Sequence, residues 1–387
     1  MVVEILRNLY YRPMQPIADI ANSLSRSIPS VTKQINELLS KNIVVEKGYA
    51  ASTGGRKAMQ YMINEDLSYT IVSLSIDQFY TAITLSNLKG DIISSLENLP
   101  VDLRDSDAAN VLLKTVDRFF SLNNIDLKQV IGIGISMPGF VNSETGLNES
   151  YNSDSPLYNI KELIEQKFNV PAVIDNDSRC VAWAEKKFGN AQDSSHSLVI
   201  NLNWGVGLGI LINDDIFKGT SGFAGEFSHI PLSDELTLCS CGKRGCLEVE
   251  ASVSAAIRNI EKDIKNGEYS IYEKLVEEYD NKAEALIESV HIGDQIAINN
   301  IGKIGYLLGK GISTLIHILN PNKIIISGRG AEIGYILAPH IQVAVNEYSI
   351  PKISKKTSIE ISDLHKRAQQ LGTTALVIEK YITNIIN

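Results

Sequence analysis

At 387 residues, 44% apolar and 21% charged, the chain is too long for one ordinary core and is expected to divide into two or three domains. Its apolar stretches fall short of the roughly 20 residues a membrane span needs. The start, Met1-Val2-Val3-Glu4, lacks the layout of a secretory signal, so a cytoplasmic protein without a membrane partner is expected. The net charge of −9 argues against nucleic acid for most of the molecule, yet residues 1–65 carry eight Lys/Arg against five Asp/Glu, a mildly basic head on an acidic body.

Residues 15–47 read as helix, tight turn, helix, strand. Pro16 to Leu24 places Ile17, Ile20, Ala21 and Leu24 on one helical face. Ser25-Arg26-Ser27 is a short connection, with Ser27 suited to cap the next helix and Pro29 tolerated in its first turn. The second helix, Ile28 to Leu39, would bury Val31, Ile35, Leu38 and Leu39. Ile43-Val44-Val45-Glu46 and Tyr61-Met62-Ile63 can pair as a wing around the basic loop Ser52–Lys57. This is the pattern of a winged helix-turn-helix, whose second helix enters the major groove of double-stranded DNA. A plain helical bundle with a solvated polar face is the alternative. Ser27, Ser30, Lys33 and Gln34 are the candidate groove contacts; Arg56 and Lys57 are candidates for phosphates or the minor groove.

From about residue 66 short β-rich segments alternate with helices. Strands at Thr70–Asp77 and Thr81–Ser86, with a turn at Lys89-Gly90-Asp91, return as Ser197–Asn203 and Val206–Ile212 with a turn at Asn213-Asp214-Asp215. Each half then supplies a buried strand, Val130–Ser136 and Lys323–Gly328. Two α/β halves, 66–190 and 191–387, with a cleft between them are expected; one large doubly wound sheet is the alternative. Near 260–288 the chain reads as charged and helical. The helix expected over Asp294–Leu319 turns Ile296, Ile301, Ile304 and Leu308 to a core, as scaffold rather than as a subunit contact.

Three of the four cysteines, Cys239, Cys241 and Cys246, fall within eight residues, and His229 lies ten positions before the first. Soft thiolates with one imidazole are the ligand set of a closed structural Zn2+ site, and Gly242 and Gly245 let the backbone wrap a small ion. Buried thiols or a disulfide are the alternative; three cysteines cannot all pair with one another, and Cys180 lies in an apolar stretch typical of a core thiol. Flanked by His229 and Glu248, the metal is expected to shape a neighbouring pocket rather than to react.

Gly225-Glu226-Phe227-Ser228-His229, the cysteine cluster and Glu248, supported by Met137–Val141 and Asp175-Asn176-Asp177, resemble the ROK family of repressors, open reading frames and kinases over essentially the whole chain. The resemblance implies an actin/hexokinase-like duplicated body with a central cleft, and a head of the kind carried by its sugar-responsive repressors, similar to the N-acetylglucosamine and xylose repressors. It also implies that Asn176, Asp177, Glu226, His229 and Glu248 hold a sugar ring, with Gly139 letting backbone approach it. In the family's kinases the counterpart of Asp177 is the general base, and two glycine-rich loops hold the nucleotide phosphates. Here those loops read Asp77-Gln78-Phe79-Tyr80-Thr81 and Asn203-Trp204-Gly205-Val206-Gly207, with rings where the phosphates would lie. The expectation is a regulator without kinase activity. It would bind a palindromic operator as a homodimer, with a tetramer left open, and respond to a sugar or sugar phosphate. An ATP-dependent sugar kinase with an accessory DNA-binding head, and a regulator that answers to a protein partner, are the competing readings.

Overall fold

The computed structural model describes residues 1–50, 57–233 and 237–386. Its head opens with a helix absent from the expected elements, Val2–Tyr11, which buries Ile5, Leu6, Leu9 and Tyr10. Strand β1 (Gln15–Pro16) leads into the helix Ile17–Ser23. Ser25, in the left-handed region at φ 52°, turns the chain sharply enough for the Arg26 N–H to reach Ala21 O at 2.9 Å. The helix Ile28–Ser40 then buries Val31, Ile35 and Leu38, with Leu39 only half-buried. Ser27 occupies its N-cap, but its hydroxyl makes no capping bond. The second helical position is Pro29, which has no N–H to offer. Strands β2 (Val44–Tyr49) and β3 (Met59–Ile63) pair antiparallel, Val44 facing Ile63 and Glu46 facing Tyr61, and β1 adds to the other edge of β3.

The body holds two five-stranded sheets with one wiring. In the first, β4 (Thr70–Ile76) and β5 (Tyr80–Asn87) are antiparallel, as are β5 and β6 (Ile92–Pro100). On the other side β4 runs parallel to β7 (Val130–Met137); after the small hairpin β8 (Val141–Asn142) and β9 (Leu147–Asn148), β10 (Ala172–Asn176) runs parallel to β7. The second sheet repeats this with β11 (His196–Leu202), β12 (Val206–Ile212), β13 (Asp215–Ile216), β14 (Lys323–Ser327) and β15 (Ser358–Ile361). Duplication, not one continuous sheet, is what forms.

The helices exchange between halves. The helix Asp177–Phe188, which follows the last strand of the first sheet, packs on β11 and β12 of the second. The C-terminal helix Arg367–Tyr381 returns to β4, β7 and β10 of the first, where Tyr381 Oη donates to Ala172 O at 2.7 Å. A division at 190/191 therefore follows chain order and not packing. The Gly-x-Gly spacing of the strands is what admits the helices. A Cβ at Gly134 would lie 2.5 Å from Thr373 O, and one at Gly209 2.2 Å from Ala182 Cβ. The two helices cross backbone to backbone, with Gly372 against Cys180.

The head is not on a free linker. Ile5, Leu6 and Leu9 share one apolar cluster with Ile71, Val173, Ile378 and Ile382 of the body. Glu379 pairs with Arg7 at 3.2 Å and with Lys187 at 3.2 Å, and Tyr11 meets Phe188 edge-on at 5.5 Å. Three helices, 253–265, 272–278 and 282–292, stand where a charged helical stretch was read, and the long helix Gln295–Leu319, capped by Asp294, buries Ile301, Ile304 and Leu308 as scaffold. No described helix is long and apolar enough to cross a membrane.

Candidate ligand cavity and metal centre

Between the two sheets lies a cavity of about 650 Å3 lined by Gly139, Asn176, Asp177, Glu226, His229 and Glu248 together. Strand β10 ends at Asn176, whose side chain is held at both ends. Its Oδ1 accepts from the N–H groups of Ser178 (2.9 Å) and Arg179 (3.3 Å), and its Nδ2 donates to Gly139 O (3.1 Å). Asp177 opens the helix into the cavity; its Oδ1 accepts from Ser178 N at 2.8 Å and its Oδ2 from Asn201 Nδ2 at 3.3 Å. Burial pushes this carboxyl up from its ordinary value.

Gly139 has φ +106°, and a Cβ there would meet Ser150 Oγ at 2.4 Å. Ser150 in turn accepts the Phe140 N–H at 2.8 Å, and buried Asn148 donates to Pro138 O at 3.0 Å. The wall formed by 148–151 is thus tied to the 138–140 turn. Across the cavity Gly225, at φ +105°, lets the chain pass Leu208 O at a distance no Cβ would allow. Phe227 is then buried against Gly311, which sets Glu226 and His229 on the cavity side. Glu226 lies 3.7 Å from His229 Nε2, Glu248 lies 3.7 Å from Nδ1, and burial pushes the Glu226 carboxyl up.

Four ligand atoms of His229, Cys239, Cys241 and Cys246 lie within 4.8 Å of one another. Cys241 and Cys246 Sγ are 3.6 Å apart, and Cys239 Sγ is 3.6 Å from His229 Nδ1. A tetrahedral ion with metal–sulfur bonds of about 2.3 Å requires sulfur–sulfur edges of about 3.8 Å, whereas a disulfide needs about 2.0 Å. The arrangement fits a divalent tetrahedral ion, and all four cysteines are free, with Cys180 buried apart from the cluster. Gly242 and Gly245, at φ +82° and +73°, fold the loop. His229 turns Nδ1 to the thiols and Nε2 to Glu226, so the metal cluster and the cavity share this ring.

The loops 77–81 and 203–207, which line the same cavity as Asp177, meet through their rings. Phe79 packs edge-on against Trp204 at 5.1 Å between ring centroids, and Tyr80 stacks on Trp204 at 6.3 Å. Tyr80 Oη donates to Asp280 O at 2.7 Å, and the Arg104 guanidinium covers the Phe79 ring at 5.1 Å. Behind the rings about 40 Å3 is left among Ser75, Asp77, Asn201 and Arg329. Burial pushes Asp77 up to about 6, opposed by Arg329.

The candidate DNA contacts lie away from this cavity. Ser27 and Lys33 are exposed and Ser30 and Gln34 half-buried, on or at the start of the second helix of the turn; Lys57 is exposed beside β3. Arg56 lies outside the described residues. Residues that sequence reasoning did not assign also line the cavity. Ser150 and Tyr151 are two of them. Arg179 went unnoticed: it is 5% exposed and donates to Asp175 Oδ1 (2.6 Å), Gly222 O (2.7 Å) and Val141 O (2.6 Å). Its position one turn after a capping Asn was the available signal.

Residues 72–380 match the model of the ROK family. The xylose repressor of Bacillus spizizenii is 27% identical over 99% of this chain and 94% of its own length. The DNA-binding transcriptional dual regulator NagC of Escherichia coli K12 is 28% identical over 97% and 91%. Among solved structures, a ROK family transcriptional regulator that is a homolog of the E. coli MLC protein superposes with a TM-score of 0.76 at 27% identity, covering 100% of this chain and 98% of that one. A ROK family glucokinase from Streptomyces griseus, in complex with glucose and AMPPNP, superposes with a TM-score of 0.69 at 22% identity over 79% and 98%, a likeness of fold.

Proposed function

The chain belongs to the ROK family, and from that premise we propose that it is a sugar-responsive transcriptional regulator, a repressor, with no kinase activity. One observation carries the reading: a cavity rich in carboxylates and amides is walled, along the two loops of the phosphate positions, by Phe79 and Trp204, with Tyr80 stacked on the indole. Carboxylates and amides are what neighbouring sugar hydroxyls need. Phosphoryl transfer depends on positioning the nucleotide, and rings stand where the backbone of these loops would have to meet its phosphates.

In this reading Asn176, Asp177, Glu226, His229 and Glu248 hold the sugar, and Gly139 lets the 138–140 backbone lie close to it. Zn2+ held by His229, Cys239, Cys241 and Cys246 has a structural role, fixing the ring of His229 and the position of Glu248. The head is a winged helix-turn-helix whose helix Ile28–Ser40 enters the major groove, with Ser27, Ser30, Lys33 and Gln34 facing the bases and Arg56 and Lys57 the backbone. The protein acts in the cytoplasm as a homodimer on a palindromic operator, two recognition helices being set about 34 Å apart.

The helix Asp177–Phe188 supplies the route between sugar and DNA. Its 12 residues span about 18 Å. It begins in the cavity and ends where Lys187 and Phe188 touch Tyr11 of the head. A sugar that draws the two halves together tilts this helix and with it the head, and a coupling of about 1–3 kcal/mol gives a useful response. Operator affinity measured by fluorescence anisotropy across a sugar panel tests the proposal. At least one sugar is expected to change it about fivefold or more, and an unchanged affinity with every sugar overturns it. The kinase reading is tested by thermal stability with ATP and Mg2+: no ATP-dependent shift is expected.

A further inference from the structure

Two rings at the rim of the cavity are left unused by folding. Phe140, one residue beyond Gly139, lines the cavity and is 39% exposed. It meets half-buried Phe223 of the second half edge-on, with centroids 5.4 Å apart. Neither ring joins an apolar cluster among the described residues. The other rings of the lining are absorbed: Phe79 and Trp204 pack on each other, and Tyr151 packs against the core of the first half. A single exposed ring is ordinary, but a pair brought together from two halves at the mouth of a cavity marks a binding surface.

The pair is held in place by a buried cation. Arg179, 5% exposed and paired with Asp175 at 2.5 Å, donates to Val141 O at 2.6 Å and to Gly222 O at 2.7 Å. Val141 directly follows Phe140, and Gly222 directly precedes Phe223. One guanidinium fork therefore fixes the backbone beside both rings, one in each half. Both segments have further ties. Phe140 N–H donates to Ser150 Oγ at 2.8 Å, and Phe140 O accepts from Glu149 N at 2.9 Å. Ala224 N donates to Lys218 O at 3.0 Å, and Lys218 Nζ donates to Ser143 Oγ of the first half at 2.9 Å. A surface fixed in advance loses little freedom when a ligand lands on it.

Resting on the sensing reading, we propose that the effector is a disaccharide or longer. One sugar ring sits among Asn176, Asp177, Glu226, His229 and Glu248, and the next lies against Phe140 and Phe223. The C–H bonds on one side of a pyranose make an apolar face, which suits an exposed aromatic ring, while the hydroxyls around its edge stay in water. Carboxylates and amides inside, with aromatic rings outside, thus match a chain of sugars better than a single one.

The test is calorimetric titration of the full-length protein with cellobiose, maltose, xylobiose and N,N′-diacetylchitobiose. Each is set beside its constituent monosaccharide, both free and as a phosphate ester. At least one disaccharide is expected to bind about tenfold or more tightly than either form of its monosaccharide. A monosaccharide or ester that binds as tightly as every disaccharide overturns the proposal and leaves sugar sensing standing. If nothing in the panel binds, sugar sensing falls and the proposal with it. Phe140→Leu, apolar but not flat, and Phe140→Tyr, which keeps the ring, supply a second measurement. The ratio of disaccharide to monosaccharide affinity is expected to fall about fivefold or more in Phe140→Leu and to stay within about twofold in Phe140→Tyr. A ratio unchanged in Phe140→Leu, or one that falls equally in both variants, overturns the proposal.

Discussion

Trp204 of the second half stacks on Tyr80 of the first, with centroids 6.3 Å apart and planes 20° from parallel. The same indole receives the edge of Phe79, and Tyr80 anchors its hydroxyl on the Asp280 carbonyl of the second half. These three rings join the two halves across the cavity wall.

Trp204→Ala is expected to weaken that junction, lowering stability by about 2–3 kcal/mol in urea unfolding. The vacated space does not restore a phosphate loop. Neither the parent protein nor the variant is expected to transfer phosphate from ATP to any aldose in a coupled assay.

Metal analysis is expected to find one zinc per chain. Cys246→Ser, which removes a fully buried ligand, should lose the ion and weaken sugar binding about tenfold or more, because His229 and Glu248 lose their shared support. The head lies away from the cluster, so nonspecific DNA binding is expected to survive. Retained zinc in Cys246→Ser would contradict the assigned ligand set.

Asp77 gives stability an unusual pH slope. Burial raises its carboxyl to about 6 although Arg329 pulls it down and Asp177 beside it adds repulsion. In the unfolded chain the group ionises near 4. Between about pH 4 and 6 the native state therefore holds a proton that the unfolded state has released, and stability falls as pH rises through that window, levelling above it. The full effect is about 3 kcal/mol. Asp77→Asn is expected to flatten the slope and to be more stable than the parent at about pH 7.5, by urea unfolding at both ends of the range.

Glu379 ties the head to the body through Arg7 and Lys187. These partly exposed ion pairs add only about 1 kcal/mol to stability. Their larger expected role is in coupling. Glu379→Gln should leave sugar affinity in the absence of DNA within about twofold, while the sugar-induced change in operator affinity shrinks toward none. An undiminished response would rule out this junction as the route.

Lys33→Ala and Gln34→Ala separate two kinds of DNA contact. Loss of Lys33, exposed on the helix Ile28–Ser40, is expected to weaken all sequences alike and to reduce the salt slope by about one. Loss of half-buried Gln34 should instead cost about 1–3 kcal/mol on the operator and narrow its margin over random DNA. Anisotropy titrations at several salt concentrations check both.

What sequence made legible was local chemistry. Cys239, Cys241 and Cys246 declare themselves because the three thiols of the cluster are written almost contiguously. Asn176, Asp177, Glu226 and Glu248 declare themselves because each sits in a short motif, and the structure sets all four on one cavity. Long-range exchange was illegible. The glycines of Val130–Met137 and Val206–Ile212 read as strand residues, and nothing in those segments names the helix that lies on them, Arg367–Tyr381 far downstream in one case and Asp177–Phe188 upstream in the other. The helix Val2–Tyr11 escaped because it has no capping side chain, only the stripe Ile5, Leu6, Leu9 and Tyr10. Arg179 escaped because its partners, Val141 and Gly222, are backbone carbonyls brought in from distant segments.

The return of Arg367–Tyr381 to the first sheet has a consequence for biosynthesis. The strands it covers, β4, β7 and β10, are translated long before it, and β7, buried along its whole length in the finished protein, stays uncovered on the ribosome until the last segment emerges. The docking surface for the head, built partly from Ile378 and Ile382, is likewise the last thing made. A chain released early, by a stop codon or a protease, keeps the helices of its head but lacks the seat that orients them.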